Sequence, residues 1–319
     1  DSITFTATPT FYTNYAFLVN TDTVQSTPSN IFTTDTLSDG DTITVFVEDI
    51  LGCPGPTSNS IPITVNPLPS VSLSSSDGDN TICSGDSVTF TASPPGYSLY
   101  GFIINGALVQ GGPDSTYTTT TLTNGDSIVV GVVDNNGCVS PPSNTIFFTV
   151  NPIPTPNITA GGPTTICAGD SVELVSDPAA TYNWLLNGIS TGISTFNYFA
   201  SITGDYQVVV TNAFGCTDTS AIVSVTVNLP PTTNITPLDS TTFCFGGSVE
   251  LLSDSAVSYN WLLNGVSIGI TTQNIIVSTA GDYQVVVSNA AGCTDTSAIE
   301  TVAVNPLPVI SITPSPAVV

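Results

Sequence analysis

The chain has 319 residues and contains no Lys, Arg, His or Met, so it offers no imidazole base, no amine for a Schiff base and no guanidinium to clamp phosphate. Its 24 carboxylates set a formal charge of −24 at pH 7, which repels nucleic acid and anionic membrane surfaces. With 50 Thr, 37 Ser and 40% apolar residues, it is rich in hydroxyls and still has enough apolar material for packed cores.

Residues 1–7 alternate like a strand from the first position, with no initiator Met and no signal peptide, so the chain reads as a piece excised from something longer. No run of 18 apolar residues follows, and no membrane insertion is expected. Residues 1–7 align with residues 86–92, so the first repeat lacks its opening strand and its first cysteine. The linker Val-Asn-Pro-x-Pro occurs at 65–69, 150–154 and 304–308, with a variant at 227–231, and its Asn residues are spaced by 85, 77 and 77 positions. Cys-x-Gly-x-Ser-Val recurs at Cys83, Cys167 and Cys244, and Gly-Cys at Cys53, Cys138, Cys216 and Cys293. From Cys167 and Cys244 onward, 42 of 62 positions are identical, whereas the first two repeats form a more divergent subtype.

These markers divide the chain into repeats at 1–66, 67–151, 152–228 and 229–305, with 306–319 as the first strand of a following repeat. In the third repeat, 171–176 alternates, 182–186 runs into an Asn187-Gly188 hairpin turn, 205–212 is a strand and 216–228 is one long final strand. Several short strands per repeat with no helical period predict an all-β fold, a linear array of immunoglobulin-like antiparallel β-sandwich domains. Trp184 and Trp261 stand at the same offset after Cys167 and Cys244, where the core Trp of such a sandwich sits; Phe17 and Phe102 take that place in the first subtype. Four sandwiches in series would make a rod of roughly 150 Å.

The seven cysteines lack the short spacing of a zinc site and have no His beside them, so disulfides in an oxidising, extracellular compartment are expected. Within one repeat the two cysteines fall at opposite ends of the sandwich, roughly 20 Å apart for a six- or seven-residue strand. A disulfide needs Cα atoms within about 7 Å. The favoured pairing therefore crosses the linkers, Cys83–Cys216 and Cys167–Cys293, with Cys53, Cys138 and Cys244 open or pairing outside the sequence. The alternative is a bridge inside each repeat, Cys83–Cys138, Cys167–Cys216 and Cys244–Cys293, which leaves only Cys53 unpaired.

No catalytic or cofactor-binding residue is expected. A Ser nucleophile would lack a His or Lys base. A glycosidase-type carboxylate pair is conceivable, yet most Asp residues (Asp39, Asp41, Asp77, Asp79, Asp126, Asp205, Asp282) fall at turns, whose chemistry explains them. Asp77 with Asp79, Asp39 with Asp41, and Asp134 with its two following Asn are weak calcium candidates, none within a twelve-residue loop ending in Glu. Asn157 and Asn234 head N-glycosylation acceptor patterns. A triplet of Asp, Ser or Thr, and an aliphatic residue recurs at Asp1, Asp22, Asp35, Asp41, Asp86, Asp126, Asp170 and Asp254. It reads either as strand-start chemistry or as glycan attachment at Thr23, Thr36, Thr42, Ser87, Ser127, Ser171 and Ser255. Tyr12, Tyr15, Tyr97 and Tyr100 are candidates either for stacking on sugar or for core packing.

Taken jointly, Cys-x-Gly-x-Ser-Val, Tyr-x-Trp-x-x-Asn-Gly, Gly-Asp-Tyr-x-Val-x-Val, Gly-Cys and Val-Asn-Pro-x-Pro resemble the tandem immunoglobulin-like (polycystic-kidney-disease-like) repeats of large Bacteroidota surface proteins, among them gliding-motility adhesins exported by type IX secretion. The first two repeats depart from the pattern, with Phe for Trp and Ile43 or Ile128 for Tyr. The resemblance implies export to the cell surface and a role in adhesion or filament formation. The Asp-Ser/Thr-aliphatic triplet likewise resembles the O-glycosylation acceptor of that phylum. The expected function is a non-enzymatic extracellular stalk or filament segment, its partners being neighbouring repeats of the same chain or filament. The alternatives are a module binding surface glycans and a head-to-tail self-assembling subunit, the latter motivated by complementary chain ends.

Overall fold

The computed structural model describes residues 2–313, and among them it holds strands and turns but no helix. The chain forms two compact units, Asp1–Asn151 and Pro152–Val319. Short alternating runs punctuated by Gly, Asn and Pro give the backbone no helical period to follow.

The first unit contains β1 (Ile3–Thr6), β2 (Asn14–Val19), β3 (Asp22–Thr27), β4 (Ile31–Thr34), β5 (Thr42–Glu48) and β6 (Ile61–Pro62). It continues with β7 (Ser72–Ser75), β8 (Thr81–Cys83), β9 (Val88–Ser93), β10 (Leu99–Ile104), β11 (Ala107–Gly112), β12 (Thr116–Thr119), β13 (Ser127–Val133), β14 (Ile146–Phe147) and β15 (Thr149–Asn151). One sheet has the order β3-β2-β5-β6 and faces the β1–β4 pair; the next has the order β11-β10-β13-β14 and faces β12-β9-β7. Two cores result, one around Phe5, Tyr15, Phe17, Phe32 and Ile43, the other around Phe90, Tyr100, Phe102, Val130 and Phe148.

The second unit opens with β16 (Ile158–Ala160), β17 (Thr165–Cys167), β18 (Val172–Ser176), β19 (Thr181–Leu186), β20 (Ile189–Ser190), β21 (Asn197–Ala200), β22 (Gly204–Thr211), β23 (Thr217–Thr219) and β24 (Val223–Asn228). The same series follows as β25 (Ile235–Pro237), β26 (Thr242–Cys244), β27 (Val249–Ser253), β28 (Ser258–Leu263), β29 (Val266–Ser267), β30 (Asn274–Val277), β31 (Gly281–Ser288), β32 (Thr294–Thr296) and β33 (Glu300–Asn305). In each half a three-stranded antiparallel sheet (β16-β18-β21, β25-β27-β30) faces a larger one (β17-β24-β22-β19-β20, β26-β33-β31-β28-β29). The short β17 runs parallel to β24, and β26 to β33. The fold class is therefore all-β, with two-sheet sandwiches of immunoglobulin-like topology.

Period-two burial builds these layers. In β22, Tyr206, Val208 and Val210 point inward and pack on Leu174 and Trp184; in β31, Tyr283, Val285 and Val287 pack on Leu251 and Trp261. Trp184 and Trp261 are fully buried, and each indole N–H donates to a backbone carbonyl, Thr195 O and Thr272 O, at 2.9 Å. Asn187 and Gly188 take φ of 52° and 79°, the left-handed pair of a two-residue hairpin between β19 and β20.

Two expectations change. The long final strand over 216–228 is broken into β23 and β24. Buried Ser220 lies between them, where its hydroxyl accepts the Val208 N–H at 3.0 Å and donates to Ala221 O at 2.9 Å, replacing a ladder hydrogen bond. Ser297 repeats this at Val285 N, again at 3.0 Å. Residues 306–313 form no strand, while Asp1 and residues 314–319 lie outside the described residues. The opening strands β16 and β25 are held by β18 and β27; the strand that would hold 306–313 in the same way is not in this sequence.

Candidate functional site

The most built feature outside the cores is the joint between the two halves of the second unit. Cys167 ends β17, and Cys293 follows the turn after β31. The two are disulfide-bonded, with Cα atoms 5.5 Å apart across 126 residues of chain. Cys293 is buried, and its Sγ lies 3.8 Å from Asn228 O, inside the linker that separates the two halves. The Asn289 amide donates to Leu229 O at 2.8 Å, adding a hydrogen bond beside the covalent one. Asn212, at the equivalent place one repeat earlier, donates in the same way to Pro152 O at 2.7 Å.

The turn that carries Cys293 is held by its own side-chain hydrogen bonds as well as by the disulfide. Asn289 Oδ1 accepts the N–H groups of Ala291 and Cys293 at 3.0 Å. Asn212 does the same for Phe214 and Cys216, and Asp49 and Asp134 serve the turns ending at Cys53 and Cys138. The Asp turns of the first subtype have no amide N–H to donate to a linker carbonyl.

The alternative pairing inside each repeat (Cys83–Cys138, Cys167–Cys216, Cys244–Cys293) is overturned. Cys293 is bonded to Cys167, and Cys53, Cys138 and Cys244 are free thiols. The reason lies in the ladder. Cys167 is level with Asn228, beyond the Gly204 end of β22, whereas Cys216 precedes the Thr217–Thr211 pair at its other end, a separation of more than about 20 Å. Neither Cys83 nor Cys216 is a free thiol.

The calcium candidates are engaged in turns. Asp77 and Asp79 both accept the Thr81 N–H, at 3.1 and 2.9 Å; Asp39 accepts Val65 N–H at 2.9 Å; Asp41 accepts Ser38 N–H at 2.7 Å and the Asn20 amide at 2.9 Å. Among the described residues, no cluster of three or more acidic, Cys or His groups could hold a metal ion. Hydrogen bonds from Ser38 and Asn20 hold the Asp41 carboxyl below its ordinary 3.8. Partial burial works against the charge of Asp126, yet bonds from Thr123 N–H, the Asn105 amide and the Thr123 hydroxyl outweigh it and also bring that carboxyl below 3.8.

The triplet hydroxyls separate by exposure. Thr23, Thr36, Ser87, Ser171 and Ser255 are exposed, whereas Thr42 and Ser127 are half-buried, with their N–H groups accepted by Asn20 and Asn105. Gly40, Gly85, Gly125 and Gly169 adopt φ between 86° and 101° just before Asp41, Asp86, Asp126 and Asp170, and each of these Asp N–H groups closes a turn. At these four triplets the Asp takes part in the turn that starts its strand. Asn157 and Asn234 are exposed. Tyr15 and Tyr100 are buried, donating to Pro9 O at 2.7 Å and Pro94 O at 3.1 Å, so neither presents a face to a sugar. The half-buried Tyr97 donates to Ser70 O at 2.9 Å. The tyrosine hydroxyls at the start of β22 and β31 were missed as structural devices: Tyr206 donates to Ile202 O at 2.9 Å and Tyr283 to Thr279 O at 3.0 Å. The recurring Gly-Asp-Tyr was the signal that could have revealed them.

No family model matches the chain, and no curated protein matches it. Among solved structures, the chain is similar to part of a 1.5-MDa bacterial ice-binding adhesin (17% identity over 76% of this chain and 99% of that one, TM-score 0.30). It is also similar to fibronectin(III)-like modules of Clostridium thermocellum CbhA (14% identity, 49% and 94% coverage, TM-score 0.28) and to extracellular domains 3–5 of Drosophila OTK (12% identity, 70% and 93% coverage, TM-score 0.30). Likeness at this level carries no argument about activity, and the chemistry of the joint stands on its own residues.

Proposed function

We propose that this chain is a non-enzymatic, extracellular structural segment, a stalk or filament piece of a repetitive bacterial surface adhesin, with successive repeats locked by disulfides. One observation carries the reading: the Cys167–Cys293 bond joins one repeat to the next rather than closing a repeat on itself. A cross-link so placed removes freedom at a joint, which serves a load-bearing element. On the same reading Cys83 pairs with Cys216 across the preceding linker. Disulfides belong to an oxidising compartment, and the described residues contain no helix long and apolar enough to cross a membrane. The absence of Lys and Arg removes every trypsin-type cleavage site, which suits exposure outside a cell. Export by type IX secretion, a gliding role and glycan on Thr23, Thr36, Ser87, Ser171 or Ser255 follow from the sequence resemblance and are part of this proposal.

Stretching single oxidised molecules tests it. The Cys167–Cys293 bond should withhold the 126 residues it encloses, about 43 nm of contour length, until a reductant is added. A contour length indifferent to reductant would remove the load-bearing reading.

A further inference from the structure

We propose that the outer face of the β11-β10-β13-β14 sheet is a docking surface for a second copy of this chain, so that two molecules pair side to side through their second sandwiches. The face is built wholly from residues 99–147, in the interior of the sequence. The proposal goes beyond the structural-segment reading and does not depend on the Cys167–Cys293 joint.

Cross-strand partners share one face of a sheet. Leu99 pairs with Val133, and Val133 with Val139. In the next row Gly111 pairs with Gly101, and Gly101 with Gly131. The row after it holds Leu108, Ile103 and Val129, and beyond that Ser127 pairs with Phe147. Ile128, Val130 and Val132 of β13 are buried in the core, so their alternates in these rows face outward. Leu108, Val139 and Phe147 are 66%, 62% and 67% exposed. The rows contain no carboxylate; Asp126 and Asp134 stand just beyond the two ends of β13, at the rim.

The other sandwiches are finished differently at the same places. In the first, 85 positions earlier, Asn14, Thr23 and Glu48 stand for Leu99, Leu108 and Val133, and the Asn14 amide donates to Glu48 Oε2 at 3.0 Å. The pairs matching Leu99–Val133 and Ile103–Val129 are Thr181–Thr211 and Leu185–Gln207 between β19 and β22. Between β28 and β31 they are Ser258–Ser288 and Leu262–Gln284. An antiparallel sheet needs apolar residues on its inner face only, and three equivalent sheets put polar ones outside. The apolar finish of the second is therefore not a demand of the fold.

Charge and shape both point to a copy of the same chain. With a charge of −24 and no cation, two copies repel wherever carboxylates meet, and they approach most readily on a face that has none. The face is also self-complementary. A Cβ added at Gly131 would meet nothing within 4 Å, so the sheet has a hole there, where the first sandwich has Phe46. Beside it the Leu108 side chain lies over Gly101, 3.3 Å from where a Cβ would stand, and projects as a knob. A two-fold axis lying in the plane of contact and passing between knob and hole seats each Leu108 over the other copy's Gly131.

The size of the face sets the strength. The 7 residues of β13 run for about 24 Å and four strands span about 19 Å, a footprint of about 450 Å² on each copy. The pair buries about 900 Å² in all, against about 1,600 Å² for a standard interface, which makes the contact weak and reversible.

Sedimentation velocity of the full oxidised chain, with its free thiols alkylated, tests the pairing. A monomer–dimer equilibrium at micromolar concentrations is expected. It should tighten as salt is raised, because screening relieves repulsion between the rims and leaves the apolar contact intact. Leu99→Asn with Val133→Glu should leave the chain monomeric with unchanged melting, since the first sandwich folds with Asn14 and Glu48 at these places. Leu108→Thr, at an exposed position, should weaken the dimer by roughly tenfold or more, because two-fold symmetry counts the substitution twice. A chain monomeric at every concentration and salt overturns the proposal and leaves the face to a different protein. A dimer indifferent to these variants, or one that loosens as salt is raised, overturns it as well. The stretching experiment reads a bond inside one molecule and is unaffected by those outcomes, so the two proposals fail separately.

Discussion

Cys167 and Cys293 stand 126 residues apart in the chain and 5.5 Å apart between their Cα atoms, and between them along the chain lie most of the third sandwich, the linker and most of the fourth. The bond is possible because one cysteine ends a short strand at one end of its sandwich and the other ends a turn at the facing end of the next. Replacing both residues by Ser should lower the stability of this unit by about 2–5 kcal/mol, since the bond restricts the unfolded chain. Urea unfolding followed by tryptophan emission should give the same loss for wild-type protein in reductant, and equal midpoints with and without the bond would refute the estimate.

The two tryptophans belong to cores that share no residue, Trp184 with Leu174 and Tyr206, Trp261 with Leu251 and Tyr283. Trp184→Ala should cost about 3–5 kcal/mol in its own sandwich. In reductant, the emission transition of Trp261 should then move by no more than about 0.5 kcal/mol. A shared shift would mean that the two cores unfold as one.

Burial pushes the Tyr206 and Tyr283 phenols above their ordinary 10.0, and the neighbouring Tyr198 adds to this at Tyr206. A group whose pKa is raised on folding lends stability that is intact below the unfolded value and lost as pH rises through the folded one. The protein should therefore weaken above about pH 10. Tyr206→Phe with Tyr283→Phe should flatten that alkaline slope in thermal melts, at a loss near neutral pH of about 1 kcal/mol per hydroxyl.

Asp41 and Asp126 have the opposite sign. Their carboxyls are held below 3.8 in the folded chain, so what they contribute is present above 3.8 and is lost as pH falls through the lower folded value. Carboxyl carbon NMR titration should find both midpoints below 3.8. Asp126→Asn should reduce the acid sensitivity of the second sandwich, and unshifted midpoints would show that the turn bonds are not held in solution.

Much of this architecture was legible from pattern alone. The alternation in Gly-Asp-Tyr-Gln-Val-Val-Val, the Asn187-Gly188 turn and the buried Trp184 all follow from periodicity and local turn chemistry, because side-chain direction in a strand has period two and few residues accept a left-handed turn. The break at Ser220 was not legible. A serine within a strand-like run gives no sign that its hydroxyl will cap Val208 N–H and split the ladder. Nor could the sequence tell that Tyr15 and Tyr100 face inward while Tyr12 lines an opening, since all three are aromatic residues in similar local settings.

By itself, then, the order of residues determined the fold class, the repeat period and the chemistry that is missing, because composition, periodicity and turn preferences act over a few neighbours. Tertiary structure decided between the two cysteine pairings that the sequence left open, joining Cys293 to Cys167, and it alone decided which carboxylates are spent on backbone amides. Those outcomes depend on which distant groups packing brings within a few ångströms, and separation along the chain carries no record of that distance.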